Sequence, residues 1–586
     1  MGSEQSTLAK EGFVISKEAE NYVVATKGDD TFFIKKIHGQ QGMVQSSQYA
    51  TPRHQGKLTT APLTSEIQIL KTIRHPHIVN IKETLQDGNI NYVMMDYCQG
   101  GNLASKIKET TQDSLQESEV LSWIVEICMA LKIIHEKGLL HKNLIPEKVF
   151  LTGCGILCLG GFGKIHETST TNSNEAINYL PPEVFTKGTY DSKSDIWSLG
   201  CILYELCTKK PAFSAETPIR LMPRIIGGHC PTLPEDFSPE LCQFLIDMLQ
   251  KEPHERPSAN EILERPFILC ALSTKCITTV KELQAKLKAL RDLADGLERV
   301  HEGTTIGSLA GGVIGAAGGI TSIVGLILAP FTLGASLIVT GVGVGVGALG
   351  GLTAGVSNIT NMVNQSTDRK AVHSIIKEFE QKISAVVTWL QEISYSLQTI
   401  SSRYPQTCEG DGNFREENLR RLGLRAGRGL SGVTELIRLA RVVNIGRIAA
   451  QASRTVRVAE VATGILSGLF IAVDIFFIAM DAKEIHNMKQ DRAAKQRGAT
   501  SSSSVSDTDD SVSISEITGS STSLLQESNT AEHTQNQSSP KKAQMKTEIM
   551  KFILSVREAA DSLEKVLVDL ESIIAQIPLF PEEILE

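Results

Sequence analysis

The apolar residues of this chain first follow a two-residue step, then a helical step, and then fuse into long runs, and each change marks a different kind of structure. Between residues 12 and 90, runs such as Asn21-Tyr22-Val23-Val24 and Thr31-Phe32-Phe33-Ile34 predict strands, and Glu66, Ile69, Leu70 and Ile73 fall on one face of a helix. His38 to Pro62, rich in Gln, Ser, Thr and Gly, predicts a loop. From 115 to 270 helical periodicity dominates, giving a small mixed lobe followed by a large helical one. Val280, Leu283, Leu287, Leu290, Leu297 and Val300 then recur at three- and four-residue steps, the stripe of an amphipathic, coiled-coil-like helix.

Gly303 to Thr367 carries no charged residue, and Ala329-Pro330 divides it into two arms. Each arm is long enough, at about 1.5 Å per residue, to cross a hydrocarbon core about 30 Å thick. Gly307, Gly311, Gly315 and Gly319 repeat every four residues in the first arm, and Gly343, Gly347, Gly351 and Gly355 in the second. Such stripes let two helix backbones approach closely, so the arms predict a hairpin, either inserted in a membrane or buried in a soluble helical bundle. Val372 to Ile400 is again amphipathic, residues 415 to 457 are rich in arginine, and the apolar run Val461 to Met480 is interrupted by Asp474. That carboxylate either resists insertion until it is protonated or pairs with an arginine of the basic segment in a soluble bundle.

These patterns divide the chain into an N-terminal tail (1–11), a mixed domain (12–270), an amphipathic helix (271–303), an apolar hairpin (304–367), a helical region (368–497), a Ser-rich linker (498–545) and a C-terminal amphipathic helix (546–586). The linker has too little apolar surface to fold alone, and the last helix is expected to pack against another amphipathic one.

The net charge of -8 suits a globular protein, but the arginines run against it locally. They match anionic lipid head groups or form a solvated face, and no nucleic-acid partner is expected because aromatic residues are not interleaved with them. The 11 cysteines show no C-x-x-C spacing, which predicts reduced thiols and a cytoplasmic setting. Gly2, followed by Ser6, fits the myristoylation pattern, and a single acyl chain anchors only together with a second membrane signal.

Several strings within 12–270 resemble protein kinases, most closely the NIMA-related family. They are Phe32-Phe33-Ile34-Lys35, Tyr92 to Cys98 before Gly100-Gly101, His141-Lys142-Asn143-Leu144, Gly161-Phe162-Gly163, Pro181-Pro182-Glu183, Ser194-Asp195-Ile196-Trp197-Ser198-Leu199-Gly200 and Glu255-Arg256-Pro257-Ser258. The resemblance implies an α+β bilobal kinase-like fold and places nucleotide contacts on Val23, Lys35, Glu66, Met95 and Cys98. It also implies that Lys35 pairs with Glu66, that Glu183 pairs with Arg256, and that Asp195 ties down the catalytic loop.

Phosphoryl transfer needs a base at the acceptor hydroxyl and ligands that hold magnesium against the phosphates. The resemblance puts these roles on Asn143, Lys148 and Gly161, where the family has Asp, Asn and Asp. An amide is no general base, an ammonium repels magnesium, and glycine supplies no ligand. The glycine-rich loop is replaced as well, by Ser16, Glu18 and Asn21 at its glycine positions. Phe33 shares a strand face with Lys35, so it either fills the adenine pocket or is an ordinary core residue. No metal and no cofactor is expected, and ATP is expected to bind weakly.

Residues 276 to 490 resemble apolipoprotein L proteins, through Glu298-Arg299-Val300-His301, Leu328-Ala329-Pro330 and Phe470-Ile471-Ala472-Val473-Asp474-Ile475. This resemblance implies an all-α, membrane-active domain, lipid association and, for some members, ion permeability. Together the two resemblances predict a pseudokinase scaffold, with membrane lipids and a protein partner, located in the cytoplasm at a membrane surface or inserted in it. An active NIMA-related kinase and a lipid-binding or channel-forming effector are the alternatives.

Overall fold

The computed structural model describes residues 7–28, 30–38, 61–87, 90–110, 115–162, 176–306, 354–403, 445–501 and 540–577. Gly2, the glycines from Gly307 to Gly351 and most of the Ser-rich linker lie outside them. Two compact units result: one within Met1–Ala285, Lys377–Gly464 and Glu564–Glu586, the other within Lys286–Ile376 and Ile465–Leu563.

In the first unit, β1 (Val14–Glu18), β2 (Tyr22–Lys27), β3 (Asp30–His38), β4 (Ile81–Asp87) and β5 (Ile90–Asp96) form one antiparallel sheet in the order β1-β2-β3-β5-β4. Strand alternation decides its faces. Val23, Ala25, Ile34 and Met94 point to one side and pack with Leu8 and Phe13 as a core, while Lys35 and Phe33 point to the other. Helix α1 (Ala61–Thr72) follows, as its apolar spacing predicted.

The large lobe is built on α2 (Glu117–Glu136) and α3 (Ser192–Thr208), whose apolar residues are buried almost all round, as central core helices require. Asp191 and Ser194 form a capping box at the start of α3. The short strands β6 (Val149–Leu151) and β7 (Leu157–Leu159) pair beneath the cleft. Arg256 reaches Glu183 through two hydrogen bonds of 2.7 and 2.8 Å, both residues being buried, while the guanidinium lies 5.0 Å from the Trp197 ring. The expected Glu183–Arg256 pair is therefore present.

The boundary expected at residue 270 falls inside a continuous helix, α4 (Pro266–Ile306). Its first turns pack on the kinase-like lobe, with Lys275 Nζ 2.6 Å from buried Glu126. Val280, Leu283, Leu287 and Leu290 of the predicted stripe are buried. Likewise α5 (Ala354–Arg403) crosses the boundary expected at 367/368, and its part from Lys377 belongs to the kinase-like unit. Apolar periodicity shows that a helix is amphipathic but not which neighbour covers it.

The second unit contains parts of α4, α5, α6 (Ile445–Ser501) and α7 (Pro540–Ala575). The C-terminal helix packs back as expected: Phe552 stacks on Phe476 at 4.3 Å, and Arg557 pairs with Asp295 at 2.6 Å and with Glu298. Asp474 is 2.9 Å from Arg369 and 3.0 Å from His373 Nε2, and the His373 ring stacks on Phe470. Among the described residues, Asp474 thus pairs with Arg369, which lies outside the basic segment.

Burial alone would raise the Glu183 carboxyl, but its bonds to Arg256 and Ser194 hold it below the ordinary value of 4.5. The pair then stabilises the fold fully above about pH 4.5, and that contribution fades as pH falls through the lowered value. Arg256→Met strands a buried carboxylate and is expected to cost about 3–5 kcal/mol at pH 7. Without Arg256 burial holds the Glu183 carboxyl above its ordinary value, so denaturant melts of the full chain should show the variant's cost shrinking as pH falls and the stranded carboxyl takes up a proton. A cost below about 1 kcal/mol contradicts the assignment.

Candidate functional site: a cleft without metal ligands

Between the lobes, the loop after α2 is held by one carboxylate. Asp195, fully buried, accepts hydrogen bonds from the His141 and Lys142 amides at 2.9 and 3.1 Å and from Tyr190 at 2.5 Å, and lies 2.8 Å from His135 Nε2. Burial opposes its ionisation, but the His135 bond, with help from Tyr190, keeps its carboxyl below the usual range. Lys142 is left-handed at φ 64°, a strained shape that this web of bonds sustains. His141, also buried, bonds the Gly160 carbonyl through Nε2 at 2.8 Å and accepts the Asn143 amide at Nδ1, which sets the neutral tautomer.

Asn143 therefore sits on a correctly formed loop and offers an amide. Lys148 closes the turn Pro146–Lys148, and Gly161, left-handed at φ 77°, follows β7. Across the cleft Lys35 is buried, and burial first, then the charge of Lys148, lowers its ammonium to about 8. Glu66 lies on α1, and the charge that lowers the Lys35 ammonium further is that of Lys148. Two cations now face a cleft in which the family's magnesium ligands are missing.

The strand register places the remaining expected contacts. Met95 pairs with Phe33 across β3 and β5, so it shares the Lys35 face, and partly buried Cys98 follows β5. Val23 does not share that face: it pairs with Ile34 and belongs to the core on the other side of the sheet, while Val24 pairs with Phe33. The register of β2 against β3 decides this parity, and a match of short strings does not carry it. Tyr22, opposite Lys35, had been passed over. Its ring stacks on Phe33 at 5.1 Å, so two aromatic rings line the face that a base would need. Glu18 is tied to Lys36 at 2.6 Å.

A magnesium nucleotide does not fit this donor set. Asn143, Lys148 and Gly161 supply no carboxylate, and among the described residues no group of three His, Cys, Asp or Glu side chains could hold a metal.

Comparison with known proteins agrees with the two-part architecture. Residues 31–268 match the protein kinase domain and residues 275–499 match apolipoprotein L. The chain carries a protein kinase domain of NIMA-related type followed by an apolipoprotein L domain. It is 40% identical over 209 residues to mouse serine/threonine-protein kinase Nek4, covering 35% of this chain and 26% of Nek4. It is 38% identical over 208 residues to mouse Nek1 (35% of this chain, 17% of Nek1), and 37% over 230 residues to human Nek2 (36% and 52%). The chain thus spans about a quarter of Nek4 and about a sixth of Nek1.

Because Lys148 depresses the Lys35 ammonium, Lys148→Asn is expected to move the Lys35 titration upward from about 8. Carbon-13 reductive methylation of the full chain followed by NMR titration reads this midpoint directly. An unchanged midpoint in the variant would leave burial as its only cause.

Proposed function

We propose that this protein is a pseudokinase scaffold: its kinase domain binds a protein partner and its apolipoprotein L domain associates with membrane lipids. The observation that carries the first half is the joint change at Asn143, Lys148 and Gly161 on a loop that Asp195 still holds in shape. Each change removes a different requirement of phosphoryl transfer, so no single reversal restores it. The stacked Tyr22 and Phe33 rings argue for weak nucleotide binding. An active serine/threonine kinase is the second reading, favoured by the similarity to the serine/threonine-protein kinases Nek4, Nek1 and Nek2, and it implies ATP and a metal.

The membrane half rests on the match to apolipoprotein L and on Gly446–Ala479, a stretch of α6 long and apolar enough to cross a bilayer. Ile471, Ile475 and Ile478 are more than half exposed on it, a stripe suited to hydrocarbon. Gly2 acylation and the glycine-striped hairpin would strengthen attachment, and both are part of this proposal. A location in the cytoplasm at a membrane surface follows from it.

Purified full-length chain with magnesium or manganese ATP and a serine/threonine peptide library is expected to transfer no phosphate above background, and Asn143→Asp is expected to stay inactive. Robust metal-dependent transfer abolished by Lys35→Ala would establish the kinase reading instead.

For the membrane half, the Asp474 carboxylate opposes insertion by about 2.5–3.5 kcal/mol at a helix centre. Asp474→Asn is therefore expected to bind anionic vesicles more tightly at neutral pH. Co-sedimentation equal to that of the unmodified chain would remove Asp474 from the account.

A further inference from the structure

The back of the kinase domain is covered by α5, and the contact leads by a short series of bonds to the altered cleft. Trp389, buried on α5, donates its Nε1–H to His77 Nε2 at 2.8 Å, and the two rings lie 7° from parallel. The other nitrogen of His77, Nδ1, bonds the Leu157 carbonyl at 2.9 Å, so Nδ1 carries the proton and Nε2 accepts. The His77 carbonyl in turn accepts the Leu159 amide at 2.8 Å, and the Leu159 carbonyl accepts the Val79 amide at 2.9 Å. Strand β7 is thereby fastened to the His77 segment one residue before Gly160, whose carbonyl holds His141, and two before Gly161.

The same helix grips both lobes. Lys377 pairs with Asp30 of the small lobe at 3.1 Å. In the large lobe, Lys132 on α2 is buried with its ammonium 2.8 and 2.9 Å from the two Glu392 oxygens and 3.9 Å from the Tyr395 ring centre. Glu126 completes the arrangement: it accepts the Leu157 amide at 2.8 Å and pairs with Lys275, whose ammonium lies 5.0 Å from the Trp389 ring. A buried ammonium needs a buried carboxylate, so the face carrying Lys132 is built to be covered by this helix.

We propose that residues 377–403 are an intramolecular brace of the kinase domain, which fixes the two lobes and sets the position of Gly160, Gly161 and His141, so that displacing the helix remodels the cleft. The brace continues α5, which starts at Ala354 beside the apolar segment. An axial pull on that segment is carried along a continuous helix to Trp389. Membrane engagement and the state of the cleft are thereby coupled; the coupling rests on the membrane reading above, whereas the brace does not.

Hydrogen exchange of the full chain separates the two. Trp389→Phe keeps an aromatic ring but removes the Nε1–H donor and part of the ring stacked on His77, and is expected to speed exchange of peptides over 75–80 and 157–162 by roughly fivefold while leaving 239–263 unchanged. Lys132→Glu is expected to do the same, and Lys132→Glu with Glu392→Lys to restore the protection. Unchanged exchange at 157–162, or an equal rise across 239–263, overturns the brace. Anionic vesicles added to the unmodified chain are expected to speed the same two peptides. A null result there, with Trp389→Phe behaving as stated, overturns the coupling and leaves the brace standing.

Discussion

A carboxylate with no access to water, Asp195, is the constraint around which the kinase domain is arranged. A charge so buried persists only when donors surround it, and here the donors are the backbone of the His141–Lys142 loop, Tyr190 and His135. Satisfying Asp195 bends Lys142 into a left-handed conformation, and that bend presents the next residue to the cleft. The geometry of the loop therefore does not depend on which side chain is presented. Asn143 can occupy that position while the bonds that shape the loop stay whole, which is what the proposed pseudokinase reading requires.

The substitutions share a direction. Relative to the kinase pattern, each of Asn143, Lys148 and Gly161 makes the cleft more positive by about one charge. Such a cleft attracts phosphate and repels magnesium, and the charge of Lys148 adds to burial, the larger cause, in depressing the Lys35 ammonium. The aromatic pair above it works against a base, so binding of any nucleotide is the balance of these two effects. Meanwhile the opposite side of the domain carries the polar contacts to α5. Under the pseudokinase reading proposed above, a domain that need not open and close around substrate can be held from behind by its own C-terminal half.

Much of this was legible in the sequence. The bilobal fold, the three altered positions and the Glu183–Arg256 pair follow from short strings at fixed spacing, because each string is tied to a turn or a buried partner. Val23 was misplaced because the β2–β3 register, which decides the face each residue takes, leaves no trace in composition. The Lys35–Glu66 pairing was carried over from the kinase resemblance, and its formation depends on where α1 rests. The brace was missed for a similar reason: Trp389, Glu392 and Lys132 each read as an ordinary helix residue. A tryptophan within the stripe of Val372 to Ile400 was the available hint, yet periodicity carries no information about partners 312 residues away.

The central claim is that the domain keeps a kinase architecture without the ability to use a metal-bound nucleotide. Thermal unfolding of the full chain, titrated with ATP in the presence and absence of magnesium, tests it most directly. The account predicts that any stabilisation by ATP is small and the same with and without the metal. A shift that appears only with magnesium and disappears in Lys35→Ala would contradict it.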